Sequence, residues 1–314
     1  MRQWVNYKNG NYTVALNIIN GTKIRTNTEN IFIPDTVESI DIKITNYCTG
    51  ATKGGCRWCH EKSSPFGKHG DILNVPFLEK LHPYCELAIG GGNPLSHPDL
   101  EAFLLKCRER NHIPNMTVNQ VHFEKEFERI KGLCTNRLIF GLGISLVKAT
   151  PEFIEKVKQI PNAVIHVING IVSAEDLINL KEQGLKLLIL GYKEVRRGKD
   201  YYEKESDSIE RGKIGLKTAL PIILANKWFN VVSFDNLAIK QLSVRELMSE
   251  EEWSEFYMGD DGLDGKQDSA TMYVDLVEKK FAKNSCSMDR FDLLNTVEEM
   301  FTYLQSVGEK VNED

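Results

Sequence analysis

The order of elements along the chain predicts an α/β protein: a partial (β/α)6 TIM-like barrel, preceded by a β-hairpin and followed by a small α+β extension. Three observations carry that reading. From Ile40 onward, short apolar runs rich in β-branched residues alternate with amphipathic stretches, as in a parallel sheet covered by helices. Six such units follow one another, enough for an open barrel where eight would close it. The segments before and after this run break the alternation, so they read as additions to it.

In chain order, Tyr12–Ile18 is rich in strand formers, Asn20-Gly21 supplies a two-residue turn, and Lys23–Thr26 returns. This gives an antiparallel hairpin within residues 1–36. The strands of the barrel are Ile40–Thr45, Leu87–Ile89, Met116–Asn119, Leu138–Ile144, Val164–Ile168 and Leu185–Leu190. Helices fall between them at Pro98–Arg110, Glu124–Lys131, Pro151–Gln159 and Ala174–Glu182. Several have capping starts, such as Thr150-Pro151-Glu152 and Ser173-Ala-Glu-Asp176. Tyr201–Asn226 is helical in pattern and Val231–Phe234 is a seventh strand candidate, which ends the barrel region at residue 240. The extension, 241–314, holds the acidic, Gly-rich run Gly259-Asp-Asp-Gly262-Leu-Asp-Gly265. A strand pair (Thr271–Val277 and Lys280–Ala282) and a terminal amphipathic helix (Phe291–Val307) follow it.

A net charge of −5 and a sequence pI near 5.9 provide no global signature for nucleic acid. No apolar run approaches the ~20 residues that span a bilayer, and the start, MRQWVNYKNGNY, lacks the core of a signal peptide. The expectation is a soluble, cytoplasmic protein with no membrane partner. Seven scattered cysteines fit a reducing compartment better than a disulfide framework.

Chemistry concentrates on two loops. Cys48, Cys56 and Cys59 follow the first barrel strand, and Gly90-Gly91-Gly92-Asn93-Pro94 follows the second. In a parallel sheet both loops open on the same rim, where binding residues gather. Three thiolates on one loop can hold a metal or an iron–sulfur cluster with one position open. The alternative is a structural or regulatory zinc site, with His60 or His69 as fourth ligand. The glycine run reads as backbone that a charged small ligand can approach closely, or simply as a tight turn. His60, Glu61 and the loop Ser63–Asp71 lie beside the cysteines and line the substrate mouth or form a solvated connector. Arg196-Arg197-Gly198-Lys199 reads as a wet basic surface or a phosphate or carboxylate site, and Cys85, Cys107 and Cys134 as buried inert thiols. Cys286 stands alone after the tail hairpin.

Together the two loops resemble the radical S-adenosylmethionine (SAM) superfamily. Cys56-Arg57-Trp58-Cys59 matches the second half of its C-x3-C-x-Φ-C motif, with an aromatic before the third cysteine. Gly91-Gly92-Asn93-Pro94 stands where that family has Gly-Gly-Glu-Pro, and Leu95-Ser-His97-Pro-Asp99-Leu continues it. The chain departs twice: seven residues, not three, separate Cys48 from Cys56, and Asn93 replaces the usual Glu. The auxiliary cysteine pairs of the SPASM branch are missing from the tail.

The resemblance implies that Cys48, Cys56 and Cys59 ligate a [4Fe–4S] cluster whose fourth iron chelates SAM. One electron, from a donor such as flavodoxin or ferredoxin, then generates a 5′-deoxyadenosyl radical that abstracts hydrogen from a peptide, protein or small-metabolite substrate. It also implies SAM contacts from Trp58, Gly91, Gly92, Asn93 and Pro94, and from the strand-end residues Asn119, Ser145 and Asn169. Gln120, Gly191-Tyr192-Lys193 and Asp235-Asn236 are further strand-end candidates for SAM or substrate.

Overall fold

The computed structural model describes residues 3–29, 31–50, 56–257 and 269–307; the acidic Gly259–Gly265 segment lies outside the described residues. The chain opens with three antiparallel strands, β1 (Trp4–Asn9), β2 (Tyr12–Asn17) and β3 (Lys23–Thr26), in the order β1-β2-β3. The hairpin expected from the sequence is β2–β3; β1 is an additional strand, folded back through Gly10. Its sequence, WVNYKN, buries only Asn9 and half-buries Val5 and Tyr7 on one face, so little in its hydrophobic pattern distinguishes strand from loop.

The main body is a mixed α/β fold on a large parallel sheet. Its strands are β4 (Ser39–Thr45), β5 (Glu86–Gly91), β6 (Ile113–Asn119), β7 (Gly141–Ser145), β8 (Ala163–Ile168), β9 (Lys186–Leu190) and β10 (Val231–Phe234). They pair in sequential order, each parallel to the next, so Val231–Phe234 is a strand of the sheet. The connections carry α1 (Pro76–Lys80), α2 (Leu100–Glu109), α3 (Gln120–Lys125), α4 (Phe127–Thr135), α5 (Pro151–Lys158), α6 (Ala174–Leu180), α7 (Arg197–Ala225) and α8 (Asn236–Leu242). The stretch expected as one helix over Glu124–Lys131 is two, because Glu126 leaves helical geometry (φ −114°, ψ 28°). Helix α7 bends at Glu205, whose φ and ψ are non-helical.

Beyond α9 (Glu250–Phe256), the tail does more than form a hairpin. Strand β11 (Thr271–Asp275) pairs parallel with β4, and β12 (Lys280–Ala282) and β13 (Phe291–Asp292) continue the sheet antiparallel. Phe291 is therefore in a strand; α10 (Val297–Ser306) begins later, at a capping box between Thr296 and Glu299. Strand β11 covers the open edge of the first strand, which would otherwise expose unpaired backbone groups.

The two sheet faces differ. Ile40, Ile42, Ile44, Leu87, Ile89, Met116, Val118, Leu142, Ile144, Ile165, Val167, Leu187 and Ile189 point to the helices and form the core. The alternate residues on the other face are polar or small: Asp41, Lys43, Ala88, Gly90, Asn115, Thr117, Gly143 and His166. Period-2 alternation produces this division, and only the first face follows the hydrophobic pattern. Among the described residues no helix is long and apolar enough to cross a membrane.

Glu38, just before β4, ties the N-terminal sheet to the body. It accepts from the Tyr12 hydroxyl (2.6 Å) and from Arg25 (3.0 Å), with Lys23 3.1 Å away. Burial alone would raise its pKa; Arg25 and Lys23 overcome that and hold the carboxyl below the ordinary range. A carboxylate depressed in the folded state stabilises above its unfolded pKa of about 4.3 and loses that contribution as pH falls through the folded value. Glu38→Ala, which takes from Arg25 and the Tyr12 hydroxyl their shared buried carboxylate while Lys23 keeps Glu86 at 2.6 Å, is expected to cost about 3–5 kcal/mol in urea unfolding. The gap between wild type and Glu38→Gln should close as pH drops below about 4.

Candidate functional site

The rim of the sheet at the ends of β4 and β5 brings the cysteine and glycine loops together through backbone. The Gly92 amide donates to the Thr45 carbonyl and the Asn93 amide to the Tyr47 carbonyl, both at 2.7 Å. The returning half of the cysteine loop lies against the same strand extension: Ser64 donates to Asn46, Cys48 to Ser64 and Gly70 to Ile44. His97 links the loops again, with Nε2 2.8 Å from the Gly70 carbonyl while Nδ1 accepts from the Asp99 amide. Gly91 has φ +109°, and a Cβ on it would run into the Thr45 carbonyl. A Cβ on Gly92 would run into the Tyr47 carbonyl in the same way. The space a side chain would need at these two glycines is filled by the cysteine loop itself. At Gly90 no atom lies within 4 Å of the Cβ position.

The three sulfurs sit in a shared environment. The Gly50 amide donates to Cys48 Sγ (3.3 Å), and His122 Nε2 lies 3.5 Å from the same sulfur. Asn119 donates through Nδ2 to Cys56 Sγ (3.2 Å) while its Oδ1 caps α3 by accepting from Val121. Burial pushes the Cys56 thiol up to about 12, and the neighbouring Cys59 and Cys48 add to it. Cys48 is raised as well, mainly by burial, with Arg197 pulling the other way. Clustered thiols gain their charge only when something positive joins them. Among the described residues no three His, Cys, Asp or Glu side chains group around one metal-ion position. His69 Nδ1 is 2.9 Å from the Thr45 hydroxyl, and His60 turns to Glu61 at 3.6 Å. Trp58 packs edge-on against Tyr201.

The basic cluster is not a wet surface. Arg196 donates to the His60 carbonyl (2.7 Å) and Arg197 to the Ser63 carbonyl (2.6 Å), so both clamp the cysteine loop from the start of α7. Glu61 anchors the loop from inside: Lys43 Nζ is 3.0 Å from Glu61 and 2.9 Å from Asp275, and Tyr273 donates to Glu61. Burial would raise Glu61, but His60, Lys43 and Arg196 bring it below its usual value. His60, half-exposed, is pushed down to about 4 by desolvation first and by the charge of Lys193 second, and is neutral near pH 7. No periodicity announces these contacts; a lysine between isoleucines in SIDIKIT, on a strand whose other face is core, is the one signal of a buried charge.

The other strand ends divide by what they touch. Asn93 is buried, and its Oδ1 has no hydrogen-bond partner. Asn169 is fully buried; its Nδ2 donates to Gln241 while Oδ1 is unpartnered. Ser145 ends β7 half-buried. Gln120 binds the loop after β7 by accepting from Val147 and Lys148. Asp235 caps α8 and accepts from Gly191. Cys85, Cys107 and Cys134 are buried in the core, and all three thiols are raised by burial.

No family model matches the chain, and no curated protein matches it. Solved structures do. SuiB of Streptococcus suis bound to the precursor peptide SuiA aligns with a TM-score of 0.59 at 10% identity, covering 92% of this chain and 84% of that one. SuiB bound to S-adenosylmethionine aligns at 0.58 and 11% identity, covering 93% and 85%. A further structure of Streptococcus suis SuiB follows at 0.53 and 12%, covering 90% and 82%. The chain shares the fold of SuiB. Since 92% of this chain is covered, the likeness to SuiB extends beyond residues 37–240 into the flanking segments.

Because Gly92 packs backbone on backbone, Gly92→Ala is expected to loosen the cysteine loop more than the body. Limited proteolysis should cut within residues 48–64 faster by about tenfold, while the urea midpoint shifts by about 1–3 kcal/mol equivalent.

Proposed function

We propose that this protein is a radical SAM enzyme, a partial (β/α)6 barrel of that type at residues 37–240, with the flanking sheet and tail as extensions. The carrying observation is the backbone stitch that ties the start of the cysteine loop to Gly92 and Asn93, a segment whose buried Asn93 amide oxygen is unpartnered. The residues fit both groups. Cys48, Cys56 and Cys59 would hold a [4Fe–4S] cluster, in which each thiolate ligates a different iron, so convergence on one point is not required. Asn93 Oδ1 is an acceptor without a donor, as the methionine amino group of SAM would need, though without the charge assistance of a glutamate. Gly91, Gly92, Pro94, Asn119, Ser145, Asn169 and Trp58 are the remaining candidates for that neighbourhood. The fold shared with SuiB, seen with S-adenosylmethionine and with a precursor peptide, supports the reading.

When bound, the cluster and SAM supply reductive sulfonium cleavage and a 5′-deoxyadenosyl radical for hydrogen abstraction. The chain's own residues position and protect. The Gly50 and Asn119 N–H donors stabilise charge on the sulfurs, which eases reduction. Arg196, Arg197 and Glu61 keep the loop from swinging open. The substrate is a peptide, protein or small metabolite; a flavodoxin or ferredoxin supplies the electron, in a cytoplasmic setting.

Anaerobic reconstitution should yield a brown protein with about four irons that converts SAM to 5′-deoxyadenosine under dithionite. A colourless protein holding one zinc, or a cluster whose spectrum ignores SAM, would overturn the proposal. Cys48→Ala should abolish the cluster with the fold retained by circular dichroism. Asn119→Ser keeps a helix cap but loses the N–H donor to Cys56; the cluster potential should fall by some tens of mV, roughly, by electrochemistry.

A further inference from the structure

The inner sheet face beneath the rim holds three neighbouring carboxylates, and two are neutralised. Asp275 has Lys43 at 2.9 Å and Arg290 at 3.7 Å; Glu61 has Lys43 at 3.0 Å and Arg196 at 3.9 Å. Asp41, two residues before Lys43 on the same face of β4, makes no hydrogen bond or ion pair with any described residue. Water reaches it, yet enough protein surrounds it that burial, opposed by Lys193 and reinforced by Glu61, raises its carboxyl. Lys193, the cation nearest in charge terms, instead donates to the Ser285 hydroxyl at 3.3 Å. Beside Asp41 the floor is small: Ala88 is its register partner on β5, and open space lies over Gly90. Asn115 and His166 bound that space on the far side, over Gly141 and Gly143.

We propose that Asp41 is the substrate anchor on this face of the sheet and that the group it receives is a cationic nitrogen, an alkylammonium or guanidinium. The inference deepens the radical SAM reading and rests on it for the site's purpose. A water-accessible carboxylate that no described residue pairs, with small residues and open space beside it, favours a cation over an anion or a neutral group. Lys43 cannot serve, because its ammonium is already held by two carboxylates on the same face. The same chemistry is offered by a free amine and by a basic side chain in a peptide.

The test measures binding to the reconstituted full-length protein by ligand-observed NMR. The probes are cadaverine, Nα-acetyl-lysine methylamide and its neutral isostere Nα-acetyl-norleucine methylamide. Wild type should bind a cationic probe at least about tenfold more tightly than the norleucine amide, and Asp41→Asn should erase that preference. Tighter binding of the lysine amide than of cadaverine identifies a peptidyl substrate; the reverse identifies a free amine. Equal binding of cationic and neutral probes by wild type, or an undiminished preference in Asp41→Asn, overturns the proposal. Ala88→Leu, which fills the space without altering charge, should weaken every probe, and unchanged binding there also counts against it. Substrate-free SAM cleavage by the wild-type preparation reports on the radical reading separately.

Discussion

The Lys43 ammonium, held between Glu61 and Asp275, is the contact on which the site's architecture depends. One buried cation joins three segments far apart in sequence: strand β4, the cysteine loop and the added strand β11. Such a network has little tolerance, since losing one partner leaves an uncompensated charge in a poorly solvated place. It is also specific. A hydrophobic contact would let the loop slide along the sheet, whereas two carboxylates at about 3 Å fix where it crosses. The tail is therefore part of the site, because Asp275 and Tyr273 hold the lysine and glutamate that hold the loop.

Around this anchor, the rim is assembled by backbone rather than by side chains. The glycines of the second loop are small because the first loop's carbonyls occupy their flank, and that close approach lets the Gly92 and Asn93 amides reach Thr45 and Tyr47. Arg196 and Arg197 add clamps from α7. The result is a loop in which the Cys48 and Cys56 thiols are raised by burial, with N–H donors already aimed at both sulfurs. Binding a metal cluster there must release protons and is favoured by a prebuilt second layer.

Below the rim, the same strands that carry the core on one face carry charge and empty space on the other. The small residues Ala88 and Gly90 are in the middle of the sheet, where packing alone would favour bulk.

The sequence by itself determined the alternating strands and helices, the sequential parallel order they imply, and the meeting of the Cys48–Cys59 and Gly90–Pro94 loops on one edge. Local periodicity and strand order carry that information, and both are written in neighbouring residues. The tertiary structure decided the rest. It made β1 a strand, added β11 beside β4, split the helix at Glu126, started the last helix after Phe291, turned Arg196 and Arg197 inward, and assigned His122 and Asn119 to the sulfurs. Those choices depend on pairs separated by dozens to hundreds of residues, such as Lys43 with Asp275. Whether a polar side chain is exposed or paired across such a distance has no period, so it becomes visible only once the chain has closed on itself.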